Sequence, residues 1–430
     1  MKSTMITRFK QMQNKITPFH ILIAILGIFI VIGAVFGLIV FKDGLVVTNL
    51  TDLVPWGLWI TIDLSSIALS AGAFTLCALV YILGLKEFYP VARTATIIGF
   101  IGYSMAMLCL LLDIGRPDRF WHGFVFWNIH SVLWEVTMCV GLYFIVLTLE
   151  VLPIVSKRDW IRNRWPKIAD KISHLHHYAP YFAIAGLFLS MLHQSSLGAN
   201  YGVLKARPIW YSPSLSFLFM ISAIIGGIAF TVLVSTLADR MSEKANVRQD
   251  LLDKLIQFVG WALIFYIYIR FWYIFSITYT YEPGRSEGLR LLLSGPLAVS
   301  FWFGEVLLGA IIPSIILFKS SWRKNYALRV LALSLVVLGI VAYRWNVNLS
   351  GQLVVMSANP LGLDIFYTQY TPSLIEVLVG AGIVSYGILA ITLGVQYLGM
   401  VDHGVASTTV KETNKRYLSW PLEESESTEI

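Results

Sequence analysis

The chain has 430 residues, 57% of them hydrophobic and only 13% charged, and carries a formal net charge of +7. Its apolar residues fall in long blocks divided by short charged stretches, which excludes a water-soluble globule and describes an integral membrane protein. The cations are spread between the blocks and form no basic domain, so the positive balance is a topology signal and implies no nucleic-acid partner.

Ten blocks are long enough to cross a bilayer, near residues 20–42, 54–85, 95–113, 120–154, 177–198, 211–237, 255–279, 293–318, 327–344 and 372–400. A closed barrel would show short alternating segments, so the expected fold is all-α, a multi-pass bundle of about ten transmembrane helices. The first block is too long for a cleavable signal and a second span follows it at once, so it reads as a retained helix. With the N-terminus set inside, inner segments hold 23 Lys and Arg and outer segments 8, with Arg270 left within a span. That bias places both termini in the cytoplasm.

In chain order, the second span opens with "VPWGLWITID" and carries Asp63 about 12 Å below the outer edge. Ser66, Ser70, Cys77 and Tyr81 follow near the same face. The serines, with Gly72 and Ala73, equally suit close helix packing, a role that needs no carboxylate. An ionisable group at this depth costs at least a few kcal/mol, roughly, so it needs a partner, a wet cavity or a function. The third span ends in "DIGRPDRFWH", delivering Asp113 to the outer end, with Arg116 and Arg119 suited to pairing in a solvated turn.

Read as running inward from residue 120, the fourth span sets His122 at the outer edge, His130 about 12 Å in and Glu135 about 20 Å in. His122 beside Trp121 also suits an interfacial anchor, and Glu135 a brace to a neighbouring helix. The inner loop "SKRDWIRNRWPKIADK" reads as a helix lying on anionic lipid. The fifth span ends outside in "LHQSSLG", bringing His193 to the outer level. An apolar slot lined by Asp113, His122, His130 and His193 suits a quinol, whose two oxygens each shed a proton on oxidation.

Further on, "FGEV" around Glu305 echoes "VLWEV" around Glu135 at a separation of 170 residues. Two related four-helix bundles, spans two to five and six to nine with one and ten peripheral, would produce that echo. The chain then divides at 1–52, 53–200, 201–350 and 351–430. The ninth span ends in "YRWNVNLSG" with Arg344, and the tenth opens in "YTPSLIEV" with Glu376. The stretch between, 345–371, is too apolar for a solvated loop and is expected to fold back over the outer face or meet another protein. Asp63, Ser66, Ser70, Glu135, Glu305, Arg344 and Glu376 are the candidate proton path. No metal site is expected. Cys77, Cys109 and Cys139 are far apart with no CxxC, which argues against an iron–sulfur cluster in this chain. His122 and His130 lie about 80° apart around a helix, so two bis-histidine haem sites do not assemble easily.

These quoted stretches, in this order, resemble the polysulfide reductase NrfD-like family of membrane subunits, especially its ten-helix branch that includes the membrane subunit of some periplasmic nickel–iron hydrogenases. The resemblance implies a multi-pass protein of the prokaryotic cytoplasmic membrane with a menaquinone site near the outer face of the first bundle. It implies no haem or cluster in this chain, proton routes through one or both bundles, and no catalytic centre of its own. An external, periplasmic-side ferredoxin-like iron–sulfur subunit would link the quinone to a catalytic oxidoreductase subunit, as in an anaerobic respiratory complex. Asp63, Asp113, His130, Glu135 and His193 fall in the matching motifs. Some relatives, organohalide-respiring ones among them, are thought to work without quinone, and there the same residues would serve proton movement alone. A di-haem cytochrome b is the third alternative.

Overall fold

A computed structural model describes residues 17–242 and 245–403. The tails at 1–16 and 404–430, expected in the cytoplasm, lie outside the described residues. Among the described residues, ten helices are long and apolar enough to cross a membrane: α1 (Pro18–Asp43), α2 (Leu58–Tyr81), α3 (Tyr89–Asp113), α4 (Val132–Ser156), α5 (Ala179–Gly202), α6 (Ser214–Met241), α7 (Gln249–Thr280), α8 (Ser300–Phe318), α9 (Tyr326–Ser350) and α10 (Leu374–Leu398).

Two starts differ from the hydropathy reading. The fourth span begins at Val132 and not near residue 120, because Ser131 caps it: the Ser131 Oγ accepts the Trp134 N–H at 3.3 Å. Upstream, residues 114–131 form a loop with a 3-10 turn at Pro117–Arg119 and one helical turn at His122–Val125. Phe120, Trp121, Phe124, Phe126 and Trp127 make that loop apolar, yet rings of this kind sit at headgroup depth as readily as in hydrocarbon. The eighth span begins at Ser300, and the residues from 285 to 293 form a separate helix, cut off by Ser294, Gly295 and Pro296.

Two spans are irregular inside. α2 is interrupted at Ala71, whose N–H bonds Ala68 O at 3.2 Å, three residues back. Gly72 follows because α6 passes backbone to backbone there: a Cβ on Gly72 would lie 2.5 Å from Gly227 O. The first twelve residues of α8, Ser300–Ile311, wind as a π-helix, a form concentrated at functional sites. Neither irregularity shows in the hydropathy pattern, which predicts no broken helix.

Among neighbours, α2 packs on α3 and α5, α3 on α4, and α4 on α5. Likewise α6 packs on α7 and α9, and α8 on both α7 and α9. The two sets meet where α6 touches α2 and α5, and where α9 touches α2. α1 lies along α10, which also touches α3.

The stretch after Ser350 forms a hairpin, β1 (Val354–Asn359) and β2 (Gly362–Tyr367), with Val354 opposite Tyr367 and Asn359 opposite Gly362. Val354 and Val355 are buried at its root, the Met356 N–H bonds Ala206 O at 3.0 Å, and Leu361 at the tip is 99% exposed. Gln352 ties the root to the start of α2, its amide accepting the Trp56 N–H at 3.0 Å and donating to Trp56 O at 2.7 Å. Arg207 bonds Leu53 O and Gln352 O on the same face.

Candidate functional site

Asp63, Asp113 and His193 stand on α2, α3 and α5; Asp63 and His193 are buried and Asp113 is half-buried. The His193 ring is 0% exposed; its Nδ1 meets the Tyr103 hydroxyl at 2.9 Å and its Nε2 is buried with no partner. Next to it, the Gln194 amide reaches across to Ile67 O at 3.2 Å, pinning α5 to α2, and its Oε1 has no partner. Asp63 is 2% exposed and its Oδ1 is unpartnered, as is Oδ1 of Asp113 at the last residue of α3. Buried polar atoms are nearly always hydrogen-bonded, so these four orphans, spread along α2, α3 and α5 from the outer end of α3 to the level of Ile67, mark an interior built for something besides packing.

The serines of α2 are spent locally. Ser66 Oγ donates to Asp63 O at 2.9 Å and Ser70 Oγ to Ser66 O at 2.7 Å, the bonding of a helix packed closely against its neighbours. Glu135 accepts the Ser196 hydroxyl at 2.7 Å, which links α4 to α5.

The depths expected for two candidates are corrected by the later start of α4. His130 lies before the helix, exposed, its backbone N–H on the Asn128 side chain at 3.3 Å. Glu135 is in the first turn, three residues or about 4.5 Å past Val132, and not 20 Å in. His122 is half-buried in the aromatic loop, its ring 4.3 Å from Trp121 and 5.1 Å from Phe126. No hydrogen bond or ring contact among the described residues joins either histidine to His193 or Asp113. In the same loop Arg116 grips Asp118 with two bonds, at 3.1 and 3.0 Å, as a solvated turn requires.

In the second set of helices the ionisable groups are mostly partnered. Glu305, on the π-helical part of α8, is 2% exposed and accepts Arg270 Nε at 2.7 Å, the Tyr266 hydroxyl at 3.0 Å and the Asn346 amide at 2.9 Å. Arg344 is buried without a carboxylate. Its Nη2 donates to Phe219 O at 2.9 Å and Ser222 Oγ at 3.0 Å, its guanidinium lies 3.9 Å from the Phe219 ring centre, and Nε and Nη1 have no partner. Glu376 is a helix cap. It closes a capping box with Ser373, takes the Asn49 N–H at 3.0 Å and binds the Tyr370 hydroxyl, so its oxygens are occupied in tying α10 to the residues before α2.

Sequence reading missed Tyr103, Tyr266 and Asn346, and noted Gln194 and Arg270 without a role in the site. Their signal was a polar group in an apolar span, which names a candidate and not its partner. No group of three or more metal-ligating side chains is assembled among the described residues.

Ten apolar helices enclosing carboxylates, an imidazole and a buried ion pair define a multi-pass membrane protein with a polar interior. The family model described as polysulphide reductase, NrfD, matches residues 46–356, and the chain belongs to that family, in the prokaryotic cytoplasmic membrane. It is 34% identical over 372 residues to the integral membrane subunit of a menaquinone reductase from Nitratidesulfovibrio vulgaris, covering 84% of this chain and 86% of the relative. A subunit of the selenate reductase of Mesobacillus selenatarsenatis is 26% identical over 404 residues, 86% of this chain and 92% of the relative. A protein of Escherichia coli named as a probable Ni/Fe-hydrogenase 2 b-type cytochrome subunit is 27% identical over 359 residues, 80% and 83%.

Proposed function

We propose that the chain is the quinone-reactive membrane subunit of a respiratory oxidoreductase complex, exchanging electrons between menaquinone or menaquinol and an iron–sulfur subunit outside the membrane, with linked proton movement. The observation that carries this is the zone of unpartnered buried atoms, Asp63 Oδ1, Asp113 Oδ1 and His193 Nε2, between α2, α3 and α5. A quinone head fits such a set, since its two oxygens need donors or acceptors in an apolar enclosure and these are the polar atoms left without one. When bound, the quinone supplies two-electron, two-proton chemistry. His193, its ring fixed by Tyr103, would hold the head, and Asp63 and Asp113, nearer the outer end, would take or return protons. His122 and His130, on the exposed loop, belong in this reading to the mouth of the site.

The helix packing supports two four-helix bundles, α2–α5 and α6–α9, with α1 and α10 outside them. We place the hairpin face on the periplasmic side, where the iron–sulfur and catalytic subunits would dock, and both termini in the cytoplasm. Proton movement in this reading runs by Asp63 and Glu135 in the first bundle and by Glu305 and Arg344 in the second. We assign no haem to this chain: His193 is engaged by Tyr103 and no second histidine faces it among the described residues.

The test is His193→Gln in the purified complex. Loss of a positioned acid–base group lowers menaquinol-linked turnover by roughly 10²–10⁴ while turnover with an artificial dye is kept. Unchanged menaquinol turnover, or a lipid extract of the complex without menaquinone, overturns the quinone reading. A Soret band in the isolated chain overturns the assignment of no haem.

A further inference from the structure

On the face opposite the hairpin, three cations from different parts of the chain meet around the end of α10. Arg93, in the second turn of α3, donates through Nη2 to Gly399 O at 2.9 Å and lies 3.5 Å from Asp402 O. Arg158, just past the end of α4, reaches the same glycine from the other side: a Cβ on Gly399 would lie 3.1 Å from its Nη2. Gly399 has φ +50 and closes α10 in the left-handed conformation. Lys157, the residue before Arg158, adds a third positive charge at the same end of α4.

Asp402 faces Arg93, but among the described residues no ion pair joins any of the three cations to a carboxylate. Nε of Arg93 and Nε of Arg158 are both buried without a partner. Two half-buried guanidiniums and a lysine held together by the fold repel one another unless an anion sits among them.

The surroundings say which anion. The cluster lies at the ends of three spanning helices, and Lys157 and Arg158 lead into the short helices Asp159–Arg164 and Pro166–Ser173. These carry exposed Trp160, Trp165 and Ile168 beside Arg162, Arg164, Lys167 and Lys171 while Ala169 is buried, the pattern of a segment lying in the headgroup layer. We propose that Arg93, Lys157 and Arg158 bind the phosphate of an anionic lipid headgroup at the end of α10. Arg guanidiniums supply paired N–H donors to its oxygens, Lys157 a point charge, and the bound lipid fastens the α10 end to α3 and α4. The site is remote from the quinone zone and stands or falls apart from that reading.

The test uses the full chain in its complex, in phosphatidylcholine nanodiscs doped with labelled phosphatidylglycerol, with lipid retention read by native mass spectrometry. Arg93 is left intact because it also caps α10. The double variant Lys157→Gln/Arg158→Gln is expected to weaken phosphatidylglycerol retention by roughly thirtyfold. Arg162→Gln/Lys171→Gln removes the same charge from the neighbouring short helices and is expected to leave retention nearly unchanged. Equal loss in both variants, or loss in neither, overturns the proposal. Displacement of the labelled lipid by inorganic phosphate alone overturns it too, since the ligand would then be a free anion and not a lipid.

Discussion

The Arg270–Glu305 pair offers a quantitative test of how the interior of the second helix set is held. With Arg270→Met, Glu305 loses its cation and the bond at 2.7 Å and keeps only the Tyr266 hydroxyl and the Asn346 amide. Removing one partner of a buried pair costs about 3–5 kcal/mol, because the remaining charge stays buried. The guanidinium also lies 5.2 Å from the Tyr343 ring and 5.3 Å from the Tyr273 ring, and removing it forfeits about 0.5–1 kcal/mol of cation–π attraction at each ring. Adding Glu305→Gln removes the orphaned charge and still gives Tyr266 an acceptor, so the double variant should recover at least about 2 kcal/mol of the loss.

Because unfolding of such proteins is commonly irreversible, the measurement is the rate of unfolding in mixed micelles of rising SDS content, run as a double-mutant cycle. The single variant is expected to unfold roughly a hundredfold faster or more, and the double variant to lie between it and the parent. If Arg270→Met costs less than about 1 kcal/mol, or if the two substitutions simply add, the pair is not what holds α7 to α8 and the reasoning fails.

Three other predictions test separate parts of the reading. Glu135→Gln is expected to impair membrane-potential generation in proteoliposomes more than menaquinol affinity, and parental behaviour in both would remove Glu135 from the proton route. Lys205, near the hairpin root, is expected to cross-link to an iron–sulfur partner in the intact complex; capture of cytoplasmic proteins alone contradicts both docking and topology. His403 is buried with Nδ1 accepting the Arg248 N–H at 3.2 Å, and burial pushes its pKa from the ordinary 6.5 down to about 4. Above about 6.5 the imidazole is neutral folded or unfolded; as pH falls toward 4 only the unfolded form takes the proton, so stability drops across that window, by up to about 3 kcal/mol at about 1.4 kcal/mol per pH unit. His403→Gln should flatten that part of the pH–stability curve, and an unchanged slope would show that the histidine is not buried neutral.

The spans were legible because a bilayer imposes length and apolarity on every helix that crosses it, and this shows in single residues. The misplaced start of α4 shows the limit: Phe120, Trp121, Phe124, Phe126 and Trp127 score as hydrocarbon-soluble, and only the Ser131 cap reveals where the helix begins. Glu376 is the reverse case. The S-x-x-E pattern at Ser373 to Glu376 is the signature of a capping box, yet depth alone made the glutamate look like a proton carrier. The Arg270–Glu305 contact was out of reach because the two residues lie 35 positions apart on different helices. The π-helix under Glu305 likewise leaves no mark on hydropathy.

The internal echo between Glu135 and Glu305 acquires physical content once their partners are known. Each glutamate accepts a hydrogen bond from the next spanning helix, Glu135 from Ser196 of α5 and Glu305 from Asn346 of α9. They differ in what the preceding helix contributes. α7 supplies Arg270, so Glu305 is neutralised by a buried cation and held by three neighbours. α3 supplies no cation to Glu135, and among the described residues none of Asp63, Asp113 and Glu135 is in an ion pair. Arg270 fixes a cation beside Glu305, and no such cation is fixed beside the carboxylates of the first set. That asymmetry favours the first set of helices as the half where protons are exchanged with a ligand. The second half, if it conducts protons, must first loosen Arg270 from Glu305, and this is why the double-mutant cycle bears on function as well as on stability.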